Sequence, residues 1–181
     1  MIKTDANGIE EWNSTYGGSG YDRGYSVQQT SDDGFIIGGT TVSYGSGSFD
    51  VWLIKTDAHG LEEWNSTFGG SGCDRGYSVY QTSDGGYVIA GDTDSYGAGS
   101  FDVWLIKTDA HGIEEWSYTF GGTEPDRSFS VQQTDDWGYI ITGYTVSYDE
   151  DYSGNDVWLI KTDSNGIEEW NATYGLSLIH I

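Results

Sequence analysis

Apolar positions along this chain alternate with polar ones or gather in short blocks, and nowhere do they recur at the spacing of a helix. Turn chemistry separates the blocks. Residues 77–83 read as a strand, Asp84-Gly85-Gly86 as a tight turn and 87–93 as the next strand. A glycine-rich loop, 94–101, leads to 102–108, which is rich in Val, Trp, Leu and Ile. Asp109-Ala110-His111-Gly112 then turns the chain into 113–120. In an Asp-x-x-Gly turn the glycine supplies the positive φ that closes a hairpin. Val103-Trp104-Leu105-Ile106 is apolar on both faces, as a strand between packed layers must be. Residues 113–120 mix charge with an aromatic face, which suits an outer edge. Four short antiparallel strands in about 50 residues are the unit expected of a β-propeller blade.

The unit recurs. Trp12, Trp64 and Trp116 are each 52 residues apart and Trp170 follows 54 further on, while DVWLIKTD stands in full at 50–57, 102–109 and 156–163. This divides residues 1–175 into a half blade at 1–16 and full blades at 25–68, 77–120 and 129–174. Met1 falls where the other copies carry Leu53, Leu105 and Leu159, so the chain starts inside a strand. Leu176 to Ile181 match no repeat position and read as a non-native tail. The fold expected is all-β, an arc of about three and a half blades. A closed ring needs about four to eight. The arc is therefore expected to be a fragment of a larger propeller, or to self-associate, because an open arc leaves apolar flanks in water.

The phrases SVQQTSDDGFIIGGT, DVWLIKTD and GIEEWNSTYGG resemble the tandem β-propeller repeats of secreted and cell-surface proteins in bacteria and archaea. The glycine pair and spaced aromatics resemble kelch blades, and the Asp…Gly…Trp hairpin is similar to that of quinoprotein-type propellers. The resemblance implies an extracellular or cell-surface location. It specifies architecture and leaves chemistry open, since such repeats serve many hosts.

Charge narrows the partners. The net charge is −22, from 29 acidic and 7 basic residues. The basic residues occupy two repeat positions, Lys3, Lys55, Lys107 and Lys161 in KTD and Arg23, Arg75 and Arg127 in DR. That pattern offers no basic patch for nucleic acid or an anionic membrane surface. There is no apolar run of transmembrane length, and the lone Cys73 has no partner for a disulfide.

The loops joining second to third strands, 42–49, 94–101 and 146–155, share one face with the blade-to-blade links 17–24, 69–76 and 121–128. Long loops on a rigid scaffold are where a binding surface is usually presented. A ligand face for protein or carbohydrate is expected there, built from Tyr21, Tyr44, Tyr96, Tyr148, Tyr152 and Glu124, the last breaking the repeat beside Pro125. Asp149, Glu150, Asp151, Asn155 and Asp156 concentrate oxygen donors of the kind Ca²⁺ prefers, although the spacing is not that of an EF-hand. Asn13, Asn65 and Asn171 head N-x-Thr sequons on the outer strand and are candidate glycosylation acceptors, or simply furnish a polar edge.

Catalysis finds little support. The adjacent glutamates Glu10-Glu11 and Glu62-Glu63 point to opposite faces of a strand and recur in each copy, whereas an active site needs one asymmetric constellation. His59 and His111 take turn positions that are Asn7 and Asn165 in other copies. Asp22, Asp74 and Asp126 suggest a repeated ion pair or turn hydrogen bond, and the strand tryptophans suggest inter-blade packing. The reading is a non-enzymatic binding or scaffold module. The alternatives are a propeller portion of a carbohydrate-active enzyme with its catalytic residues elsewhere, and a purely structural surface spacer.

Overall fold

The computed structural model describes residues 1–148 and 154–175. Among them every regular element is a strand, so no helix is long and apolar enough to cross a membrane. A two-stranded sheet, β1 (Ile2–Thr4) and β2 (Glu10–Asn13), precedes three four-stranded sheets. Blade 1 holds β3 (Asp22–Gln29), β4 (Phe35–Thr41), β5 (Asp50–Thr56) and β6 (Glu62–Phe68). Blade 2 holds β7 (Asp74–Gln81), β8 (Tyr87–Thr93), β9 (Asp102–Thr108) and β10 (Glu114–Phe120). Blade 3 holds β11 (Asp126–Gln133), β12 (Tyr139–Thr145), β13 (Asp156–Thr162) and β14 (Glu168–Tyr174). Each sheet is an antiparallel meander in chain order, and β7 packs against β3 on one side and β11 on the other. The result is the all-β propeller arc that the repeat implies.

The first strand of each blade begins at Asp22, Asp74 and Asp126, three residues earlier than the sequence reading placed it. The Asp-Arg pair therefore belongs to the strand, not to the inter-blade link. A bulge hides the start, since the register slips between Gly24 and Ser26, Gly76 and Ser78, and Ser128 and Ser130. One extra residue at a bulge breaks the alternation that marks a strand. The extra residues, Tyr25, Tyr77 and Phe129, form a ladder of rings, with centroids 5.1 and 5.5 Å apart.

Two cores lie between blades. Ile36, Val51 and Leu53 of blade 1 pack on Val79, Tyr87, Ile89, Trp104 and Ile106 of blade 2. Val88, Ala90, Val103 and Leu105 of blade 2 pack on Val131, Tyr139, Ile141, Trp158 and Ile160 of blade 3. Strands β5 and β9 are buried along their whole length, as their two apolar faces require. The outer-strand tryptophans reach across the junctions, Trp12 to Phe35, Trp64 to Tyr87 and Trp116 to Tyr139, at 5.7, 5.8 and 5.7 Å. Trp64 also lies over Gly112, where φ is +74° and a Cβ would strike the indole. Glycine there satisfies both the turn and the ring above it.

The ends of the arc are less well covered. Val27 is 57% exposed, whereas its counterparts Val79 and Val131 are 5% and 3% exposed. A cleft of about 440 Å³ lined by Met1, Tyr16, Val27, Ile37, Trp52 and Ile54 opens beside Val27. At the other end Val157 and Tyr174 are exposed.

Candidate functional site on the long-loop face

Each long loop grows from an aspartate. Thr41 Oγ1 donates to Asp22 Oδ1 and accepts from the backbone N–H groups of Ser43 and Tyr44, at 3.0 and 3.2 Å. Ser43 Oγ donates to Asp22 Oδ2 at 2.6 Å, and Gly18 N–H donates to the same oxygen at 2.9 Å. Asp74 with Thr93, Ser95 and Gly70 repeats the arrangement, as does Asp126 with Thr145, Ser147 and Gly122. Of the two roles the sequence allowed these aspartates, the turn hydrogen bond is the one observed. It fixes the loop at its root.

That root positions the tyrosines. Tyr44, Tyr96 and Tyr148 stand half-exposed at equivalent places, their rings 5.4, 5.2 and 5.3 Å from Trp52, Trp104 and Trp158. The hydroxyls of Tyr96 and Tyr148 donate to the carbonyls of Gly69 and Gly121, at 3.1 and 3.3 Å. Burial of part of the ring raises the Tyr148 phenol above its usual range. Tyr21 is largely exposed, and its carbonyl accepts from Val42 N–H. Glu124 is exposed, and its backbone exchanges hydrogen bonds with Ser147 Oγ.

The candidate calcium loop is only partly visible. Tyr152 and the donors Asp149, Glu150 and Asp151 lie outside the described residues. Asn155 is exposed, and Asp156 opens β13 with its carboxylate close to Gly175. Among the described residues no group of three or more His, Cys, Asp and Glu side chains is placed to hold a metal. The sequon asparagines are engaged as braces. Asn65 Oδ1 accepts from Trp52 Nε1 and Asn171 Oδ1 from Trp158 Nε1, both at 3.2 Å, while Asn13, Asn65 and Asn171 each donate to a strand glutamate.

The short-turn face is held by lysines. Buried Lys55, Lys107 and Lys161 each bridge a turn aspartate and the second glutamate of the outer strand, Asp32 and Glu63, Asp84 and Glu115, Asp136 and Glu169. Hydrogen bonds from Lys55 and Thr30 pull the Asp32 carboxyl down to about 2. In the half blade and in blades 1 and 3 the paired glutamates are thus divided, the first accepting from an asparagine and the second pairing with a lysine, while in blade 2 Glu115 pairs with Lys107 and Ser117 stands in place of the asparagine. His59 is exposed in its turn and donates its backbone N–H to Asp57 Oδ1 at 2.8 Å. Trp137 holds φ +69° in the position occupied by Asp33 and Gly85 in the other blades.

One asymmetric cluster escaped the sequence reading. Asp92 replaces Thr40 and Tyr144 of the sister blades, and it is fully buried. Arg75 Nη1 lies 3.6 Å from its Oδ1 and Arg127 Nε, from the next blade, 3.4 Å from its Oδ2. Both guanidiniums lie over the Phe101 ring, at 5.0 and 4.4 Å, in cation–π contact. Neither Asp92 oxygen makes a hydrogen bond, and burial pushes its carboxyl up to about 6 against the pull of the two arginines. The cluster clamps blade 2 to blade 3. The break in the repeat at position 92 was the signal that marks it.

No family model matches the chain, and no curated protein matches it. A solved structure of a protein of unknown function from Bacteroides caccae is similar over 95% of this chain and 74% of its own, at 10% identity and a TM-score of 0.37.

Proposed function

We propose that the chain is a non-enzymatic binding or scaffold module of a secreted or cell-surface protein, with its ligand face on the long loops. The observation that carries this is the row formed by Tyr44, Tyr96 and Tyr148, half-exposed rings repeated from blade to blade on rigid roots. Flat aromatic surfaces held at low entropic cost suit the apolar faces of sugars or the side chains of a protein partner. The direct test is a glycan array probed with the chain and with Y44A/Y96A/Y148A. Binding that is lost in the triple variant, with its β circular dichroism unchanged, supports the reading; equal binding by both proteins overturns it.

The spacer reading has one observation in its favour. The hydroxyls of Tyr96 and Tyr148 already bond main-chain carbonyls, so these rings also tie loop to link. A triple variant that loses stability and binds nothing before or after the change would select the spacer.

A further inference from the structure

The short-turn face holds one place where the repeat is broken twice. Trp137 stands in a turn where the sister blades carry Asp33 and Gly85, and Ser164 in a turn where the other copies carry Ala6, Ala58 and Ala110. Both residues line one pocket of about 300 Å³ at the junction of blades 2 and 3. That volume is at the lower end of pockets that take small ligands. Trp137 is not a packing tryptophan. Trp64 and Trp116 lie against Tyr87 and Tyr139 across the junctions and Trp104 is buried, whereas Trp137 is 61% exposed. Its φ of +69° is left-handed backbone, which glycine and aspartate accept more readily than a bulky side chain. Strain of this kind collects at ligand sites.

The polar groups of the pocket are held by bonds to one another. Ser83 N–H donates to Gln133 Oε1 at 2.9 Å, and Gln133 Nε2 donates to the Trp137 carbonyl at 3.3 Å. The second N–H of that amide is left for a ligand. Lys107 Nζ bridges Asp84 and Glu115 at 3.0 and 2.8 Å, and it reaches Glu115 through Oε2. The Glu115 side chain is still 47% exposed, so its other oxygen faces solvent. Trp116 and Tyr139 supply the apolar wall. The junction of blades 1 and 2 is an internal control. It repeats the polar set as Ser31 on Gln81 and Lys55 between Asp32 and Glu63, but has Gly85 and Ala110 at the two variable places.

We propose that this pocket binds a neutral saccharide unit stacked on the Trp137 indole. The C–H groups on one face of a sugar ring carry partial positive charge and suit the negative face of an aromatic ring. Its hydroxyls donate to the solvent-facing oxygen of Glu115 and accept from the Gln133 amide and the Ser164 hydroxyl. These groups are already fixed by their neighbours, so little ordering is needed on binding. Two carboxylates against one ammonium leave the pocket negative, which disfavours acidic sugars and phosphates. The tyrosine row lies on the opposite face, so the two sites are independent.

The test titrates the whole chain, W137G, S164A and Y44A/Y96A/Y148A with the methyl glycosides of glucose, galactose, mannose and N-acetylglucosamine and with cellobiose and lactose, followed by saturation-transfer NMR. W137G installs the residue of the sister turn and suits its left-handed backbone, so its circular dichroism should be unchanged. Saturable binding of at least one of these sugars at millimolar concentration is expected. It should be about tenfold weaker in W137G, the scale of one lost aromatic stack, weaker also in S164A, and unchanged in the tyrosine triple variant. No saturable binding of any of these sugars overturns the proposal. Binding as tight in W137G as in the unmodified chain overturns it too, and if that binding is lost in Y44A/Y96A/Y148A it assigns the sugar to the long-loop face instead.

Discussion

Asp92 shows how one residue can depart from a repeat and change the chemistry of a junction. Its neighbours in the other blades are a threonine and a tyrosine, and only here do arginines from two blades converge on a buried acid. The carboxyl stands at about 6 in the folded chain against an unfolded value of 3.8. A folded value raised in this way favours the protonated, folded form. The contribution to stability is complete below about pH 4 and is lost as pH rises through about 6. D92N should therefore flatten part of the decline in urea midpoint between these limits. An unchanged slope in D92N would assign the decline elsewhere, with Asp50, also raised to about 6, the next residue to examine. The sequence held the clue at position 92, yet charge alone could not say that the acid was buried. That depends on Arg127, which reaches it from the following blade.

At the scale of elements, the repeat supplies its own controls. Val79 and Val27 occupy the same position in β7 and β3, but blade 1 buries the first, whereas the second stays more than half exposed beside the cleft. Removing two methyl groups costs about 0.8 kcal/mol each plus a cavity term where the site is closed. V79A should then destabilise the chain by about 2 kcal/mol, and V27A by less than about 0.5 kcal/mol, since exposed substitutions are nearly neutral. Chemical denaturation of the two variants side by side checks this; equal losses would mean that Val27 is covered in solution. Strand identity was legible from alternation and from the Asp-x-x-Gly turns, because both are local. Strand starts were not, because the bulges at Tyr25, Tyr77 and Phe129 interrupt the alternation that was being read.

For the whole molecule, charge outweighs any single pair. Twenty-nine acidic residues against seven basic ones repel one another in the compact state. The buried lysines offset this only locally, since each spans two partly exposed carboxylates and such pairs contribute little. Salt shortens the range of the repulsion to about 10 Å at 0.1 M. The melting temperature should therefore rise from low salt to about 0.5 M NaCl, where the screening length is only a few ångströms. A fall over that range would mean that the lysine bridges dominate. The 52-residue period, the four strands of each blade and the tryptophans that cross the junctions follow from the sequence itself, since alternation, turn residues and self-similarity are properties of neighbours along the chain. The partner of each buried carboxylate was decided only by the tertiary structure. Asp92 between two arginines and Asp102 facing Asp126 join residues from different strands and blades, and burial, which sets the cost of each charge, exists only once the blades have packed.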